Sequence, residues 1–164
     1  MYASQDVIEL ILKDHRIAGD LLRQLRGGME SVRRHALHEF ADLYVAHVRA
    51  EEAEVYPALT RYEGIDGRAI ERGVAAHEEG AEALLDLFEA LAGSPHTWDA
   101  RLDELAGSVT AYTRETETTL LADTRESVPS AGRSRLGAAF ADERGRQLRA
   151  RCGDIDNVRR IVHA

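Results

Sequence analysis

Apolar residues recur along most of the chain at steps of three and four, the period of a helix with one buried face, rather than in the alternation of a half-exposed strand. A first stretch starts at Ser4 or Gln5, with Ser4 or Asp6 as cap, and runs to Gly27-Gly28. Its face holds Val7, Ile8, Ile11, Ala18, Leu21, Leu22 and Leu25. A second begins near Glu30 or Ser31 and carries Leu37, Phe40, Ala41, Tyr44, Val48, Val55 and Leu59, with Pro57 expected to bend or end it. The turn Glu63-Gly64-Ile65-Asp66-Gly67 leads into a third stretch from about Arg68, where Ile70, Val74, Ala81, Leu84, Leu85, Phe88 and Leu91 share a side until Gly93-Ser94-Pro95 closes it. The fourth, from about Thr97, aligns Trp98, Leu102, Leu105, Val109 and Tyr112, then turns polar at Thr116 and Thr119 before Leu120.

Stretches of about 20 to 28 residues make helices about 30 to 42 Å long, and their short connections turn neighbours antiparallel. The pattern therefore predicts an all-α, up-and-down antiparallel four-helix bundle over residues 1–128. After Pro129, Leu136, Ala139, Phe140 and Leu148 mark an additional C-terminal helix. It belongs to a 129–164 extension that packs on the bundle or is partly flexible, and the last dozen residues, Gly153 to Ala164, are expected to fray or serve a partner.

Charge removes some partners. The 164 residues include 29 acidic and 21 basic side chains, a formal net charge of -8, which gives no electrostatic reason to bind nucleic acid or an anionic membrane. The longest apolar run, Val7 to Leu12, is broken by Glu9 and falls far short of the roughly 20 residues that span a bilayer. No charged leader precedes an apolar segment, so a cytoplasmic protein is expected, as monomer or homodimer. Cys152 is the sole cysteine, which excludes an internal disulfide and a cysteine-built zinc site. Its arginine neighbours favour a lowered thiol pKa, but no histidine accompanies it as in a nucleophile pair. Any metal must rest on histidines and carboxylates.

Three histidines fall on inward stripes of successive helices: His15, His47 and His77. Glu51 follows His47 by four residues, so both project from one helix face, about 5 to 6 Å apart at Cβ. A carboxylate inside an apolar stripe costs several kcal/mol unless paired or metal-bound. Imidazole with carboxylate suits iron, zinc or manganese. The competing reading is a hydrogen-bonded polar core without metal. His35, His38, His96 and His163 fall outside the inward set and read as solvent residues, Tyr44 and Tyr56 as core or rim aromatics, and Glu52 as part of a solvated face.

The segment Lys13-Asp14-His15, the run His47-Val-Arg-Ala-Glu51-Glu-Ala-Glu-Val-Tyr56-Pro57, the segment Ala76-His77-Glu78-Glu79 and a fourth helix entered through Trp98 and Leu102 together resemble the hemerythrin-like HHE cation-binding family over about residues 5–148. The resemblance implies a bundle holding two non-haem irons that handle oxygen, nitric oxide, peroxide or iron itself. It implies that His15, His47, Glu51 and His77 are metal ligands, with Glu51 a bridging carboxylate.

The fourth helix departs from the family pattern. Where the family repeats His-x-x-x-Glu, this chain has Tyr112 and Thr116, and the histidine that some members carry three residues before the third-helix ligand is here Val74. One iron's ligand set survives: His15, His47 and Glu51, two imidazoles and one carboxylate that can hold a single Fe(II) with positions left open. Tyr112 as a phenolate, or Glu115 or Glu117 on a rotated helix, are the candidates to complete a second site. In the metal-free alternative, Tyr112 and Thr116 fill the vacated space and bond His77 and Glu51.

The function these features imply is a hemerythrin-like non-haem metal protein, with one intact site and one incomplete, that binds or senses oxygen, nitric oxide or peroxide. Iron is the expected cofactor as one or two ions, with zinc or manganese on the same donors as alternatives. A degenerate bundle acting as an interaction or small-ligand module is the rival reading. A zinc hydrolase would need an inward general base beyond the ligands themselves, and none is evident.

Overall fold

The computed structural model describes residues 5–27 and 29–164. Ser4 as a cap and Gly28 as a helix stop lie outside them. Among the described residues there are six helices and no strand, the all-α bundle with an added C-terminal helix that the apolar spacing predicts.

Helix α1 is Val7–Leu25, capped by the Asp6 carboxylate, which accepts the Ile8 N–H. Helix α2 covers 30–59 in three parts: Glu30–Ala50, a π-turn at Glu51–Val55 and a last turn at Tyr56–Leu59. Pro57 therefore sits inside the final turn, and the helix stops shortly after it. Helix α3 is Gly67–Glu89, capped by Asp66 and closed by a 3-10 turn at Ala90–Ala92. Helix α4 covers 95–127: Pro95–Glu115, a second π-turn at Thr116–Leu120 and Leu121–Ser127, with Ser94 as its cap. Helix α5 is Ser130–Arg149 and helix α6 is Ile155–Val162.

Helices α1 and α2 pack as one pair and α3 and α4 as another, while α5 lies across α1 and α2 and α6 lies against α3. The terminal dozen residues do not fray as expected. Asp154 caps α6, Val158 is buried, and Ile155, Ile161 and Val162 pack against the core. Chain reversal before α6 is held by Arg151 at φ 53° and by the Gly153 N–H donating to Asp42 Oδ1 at 2.9 Å. Cys152 is buried there and its thiol donates to the Asp42 carbonyl, so burial, then the Asp42 charge, pushes its pKa up to about 11, the reverse of the lowering its arginine neighbours suggested.

Apolar packing divides into two clusters. One gathers Leu25, Leu37, Phe40, Leu84, Leu87, Leu102 and Leu105 toward the Trp98 end. The other gathers Val7, Ile8, Ile11, Val55, Leu59, Leu120, Leu121 and Phe140. Between them lies a layer of buried polar side chains: Asp14, His47, Glu51, His77 and Thr116.

Candidate metal centre

Buried polar groups persist only where other groups satisfy them. In this layer His15 comes from α1, His47 and Glu51 from α2, and one atom of each has no hydrogen-bond partner: His15 Nε2, His47 Nε2 and Glu51 Oε1. These donors lie within 4.8 Å of one another. His47 Nε2 and Glu51 Oε1 approach to 2.7 Å without the alignment of a hydrogen bond. Glu51 is 1% exposed, and the side chains of His15 and His47 are each 6% exposed.

The opposite atoms of the same side chains are all fixed. Asp14 Oδ2 accepts from His47 Nδ1 at 2.9 Å, which selects the face of the imidazole that turns inward. His15 Nδ1 lies 2.9 Å from Glu117 Oε1, whose own side chain is 42% exposed. Glu51 Oε2 accepts the hydroxyl protons of Tyr56 at 2.7 Å and Tyr112 at 2.6 Å. Three potential ligand atoms therefore face one another while the opposite atoms of the same side chains are tied down.

The π-turn explains how Tyr56 reaches Glu51. Five residues at 3.6 per turn would place Tyr56 about 140° around the helix from Glu51. The π-turn bonds the Tyr56 N–H to the Glu51 carbonyl, i to i+5, and brings the ring over the carboxylate. Gly73 of α3 makes room for it, because a Cβ there would stand 2.5 Å from the Tyr56 hydroxyl.

His77 and Glu115 do not join the three converging atoms. His77 lies beyond Glu51, with Nε2 3.3 Å from both Glu51 Oε2 and the Tyr56 hydroxyl, and Nδ1 3.1 Å from Glu52. Its ring stacks on Tyr56 and meets Tyr112 edge-on. Glu115, the last residue before the π-turn at Thr116, pairs with Arg72 outside the layer, and Glu117, within that turn, is the carboxylate that meets His15. Tyr112 touches Glu51 through a hydroxyl that donates, so it occupies the space beside the carboxylate as a phenol. His35, His38, His96 and His163 are all exposed.

Electrostatics follow burial and pairing. Burial pushes the Glu51 carboxyl up, but His47 and then His77 outweigh it and hold the group well below the usual carboxylate range. Burial alone lowers His47, yet Glu51 and Asp14 raise it to about 9. Burial, with the nearby His47 charge, lowers His15 and favours its neutral form. Burial and the Glu51 charge push the Tyr112 phenol far above its ordinary value, so it stays protonated. Asp14, despite the upward push of burial, is held low by His47 and Arg144.

This donor set fits a divalent cation, and the family comparison points the same way. The sequence model of the hemerythrin HHE cation binding domain matches residues 6–123, more than half of the chain. The chain belongs to that hemerythrin HHE family. The matched segment ends in α4, short of the residue 148 suggested by the sequence resemblance, so α5 and α6 lie outside it. No curated protein and no solved structure matches the chain. His15, His47 and Glu51 all fall within the matched segment and form its candidate cation site.

Several contributors were missed from sequence. Asp14 had a signal, since it stands in the same four-three stepping as Val7, Ile11, Ala18, Leu21 and Leu25, a charged residue at a core position. Arg144 stands four residues after buried Phe140 on the α5 stripe. Tyr56 and Glu52 gave none, since their roles depend on the π-turn and on the neighbouring helix.

Proposed function

We propose that this hemerythrin-family chain holds one divalent non-haem ion, iron(II), on His15 Nε2, His47 Nε2 and Glu51 Oε1, and that the remaining coordination positions take oxygen, nitric oxide or peroxide. The observation that carries this reading is the convergence of three buried ligand-type atoms, none of which has a hydrogen-bond partner outside the group. Two imidazoles and one carboxylate are the donor set of mononuclear non-haem Fe(II), and zinc or manganese would use the same atoms. Bound there, iron supplies a one-electron couple and open positions for a small ligand.

The protein's part is orientation and proton control. Asp14 and Glu117 set which nitrogen of each histidine faces inward. Tyr56 and Tyr112 hold Glu51 Oε2, leaving Oε1 for the cation. The raised His47 pKa means that a cation displaces a proton there at neutral pH. Where a second ion would need nitrogen and carboxylate donors, this chain has the Tyr112 phenol and Thr116. That arrangement supports one ion per chain. A coupled iron pair supplies the two electrons of reversible oxygen carriage, so a single centre fits sensing or peroxide handling better than storage.

Anaerobic titration with Fe(II), read by equilibrium dialysis, tests the assignment. Saturation near one ion per chain, with at least tenfold weaker binding in His15→Ala and His47→Ala, is expected. Binding unchanged in both variants would overturn it.

A further inference from the structure

We propose that Arg144 of α5 positions the His47 imidazole through Asp14, making the C-terminal helix part of the metal centre. Arg144 Nε donates to Asp14 Oδ2 and Nη2 donates to Asp14 Oδ1, each at 2.8 Å, a two-pronged grip that fixes the carboxylate plane. The same Oδ2 accepts from His47 Nδ1 at 2.9 Å. With the guanidinium in place Asp14 is 5% exposed, so Arg144 is the group that covers this carboxylate on its outer side. Phe140, one helical turn before Arg144, is buried and meets the His47 ring edge-on at 5.5 Å between centroids. The imidazole is therefore held by α5 from two sides, by Phe140 directly and by Arg144 through Asp14.

Helix α5 is itself docked in fixed register. Arg133 Nε donates to Asp6 Oδ2 at 2.8 Å at its first turns. Gly137 lies so close to α1 that a Cβ would overlap the Gln5 carbonyl. Arg133, Gly137, Phe140 and Arg144 form one stripe along the helix face that meets α1. The segment that matches the family stops at residue 123, so this clamp is supplied from outside it. Groups that orient a ligand imidazole typically change metal affinity 10- to 100-fold when removed, and Arg144 acts one link further back.

The inference rests on the proposed cation site, and Co(II) serves as a coloured probe of it in the full-length chain. Affinity by equilibrium dialysis and the visible absorption envelope are measured for wild type, Arg144→Gln, Arg144→Lys, Asp14→Asn, the Asp14→Asn/Arg144→Gln double variant and Arg133→Gln. Arg144→Gln is expected to weaken Co(II) about tenfold and alter the absorption envelope, with Arg144→Lys recovering part of both. The double variant should bind no more weakly than Asp14→Asn alone, because the arginine acts through that carboxylate. Arg133→Gln breaks the ion pair of α5 with Asp6 and touches neither Asp14 nor His47; buried Phe140 and the close seat of Gly137 still hold the helix, so it should bind Co(II) as wild type does. Wild-type binding and spectrum in Arg144→Gln, an additive double variant, or an equal loss in Arg133→Gln would overturn the positioning role while leaving the cation site standing. Failure of the wild-type chain to take up Co(II) would remove the cation site itself, and the proposal with it.

Discussion

Replacing Glu51 by glutamine keeps the shape of the side chain and removes its charge. In the metal-free protein, the amide oxygen can still accept from Tyr56 and Tyr112, and the amide nitrogen faces His47 Nε2. Two charge-assisted hydrogen bonds become neutral ones and the attraction of His47 and His77 for the carboxylate is lost, together about 3 to 5 kcal/mol, while the cost of burying a carboxylate, also several kcal/mol, disappears. Metal-free stability should therefore move by no more than about 2 kcal/mol in either direction. Metal binding behaves differently, because one of three donors and the only anionic one is gone. The loss should exceed the roughly 100-fold upper range seen for groups behind a ligand. With Fe(II) at 100 times the wild-type Kd, the wild-type chain gains about 2.7 kcal/mol. At about 2 to 4 °C per kcal/mol for a chain of this size, that is a rise in Tm of about 5 to 11 °C. A variant weakened 100-fold gains only about 0.4 kcal/mol, or roughly 1 to 2 °C. Differential scanning fluorimetry under anaerobic conditions reads both. An Fe(II)-induced rise in Glu51→Gln equal to that of wild type would refute the ligand assignment.

Tyr112→His combined with Thr116→Glu should raise bound iron from one to two per chain by elemental analysis, and a count that stays at one would show that these two positions are not what limits the site. Gly73→Ala drives a methyl group into the Tyr56 hydroxyl and should cost about 1 to 3 kcal/mol in urea unfolding, and an unchanged midpoint would contradict the tight seat described for that ring. Cys152 should react with Ellman's reagent far more slowly in native than in unfolded protein. Because its folded pKa lies above the ordinary 9.0, at about 11, its contribution to stability is complete below pH 9 and lost as pH rises toward 11. Cys152→Ala should flatten that alkaline decline, and an identical pH profile would refute the link.

The helices were legible because their apolar stripes repeat over many turns, and Asp6, one of the two caps expected for α1, does accept the Ile8 N–H. The inward positions of His15, His47 and Glu51 followed from the same period. What a uniform period of 3.6 could not show was the pair of π-turns, at Glu51–Val55 and Thr116–Leu120. Each shifts the phase of the residues after it; the first brings Tyr56 over Glu51, and Glu117, which meets His15, lies within the second. Helix α6 escaped notice because it is short and Arg-rich, and its stability comes from packing against α3 rather than from its own sequence. The Arg144–Asp14–His47 chain joins three helices, and only the tertiary arrangement brings such distant residues together.

The central claim is that one cation sits on His15, His47 and Glu51 while Tyr112 and Thr116 leave no second position. Elemental analysis of iron, manganese and zinc per chain, on untagged protein reconstituted anaerobically with Fe(II) and desalted, tests it most directly, with Mössbauer spectra of the same 57Fe-loaded sample. The account predicts about one iron per chain with the spectrum of an isolated high-spin ferrous ion. Two irons per chain, coupled after oxidation, or no retained metal of any kind, would contradict it.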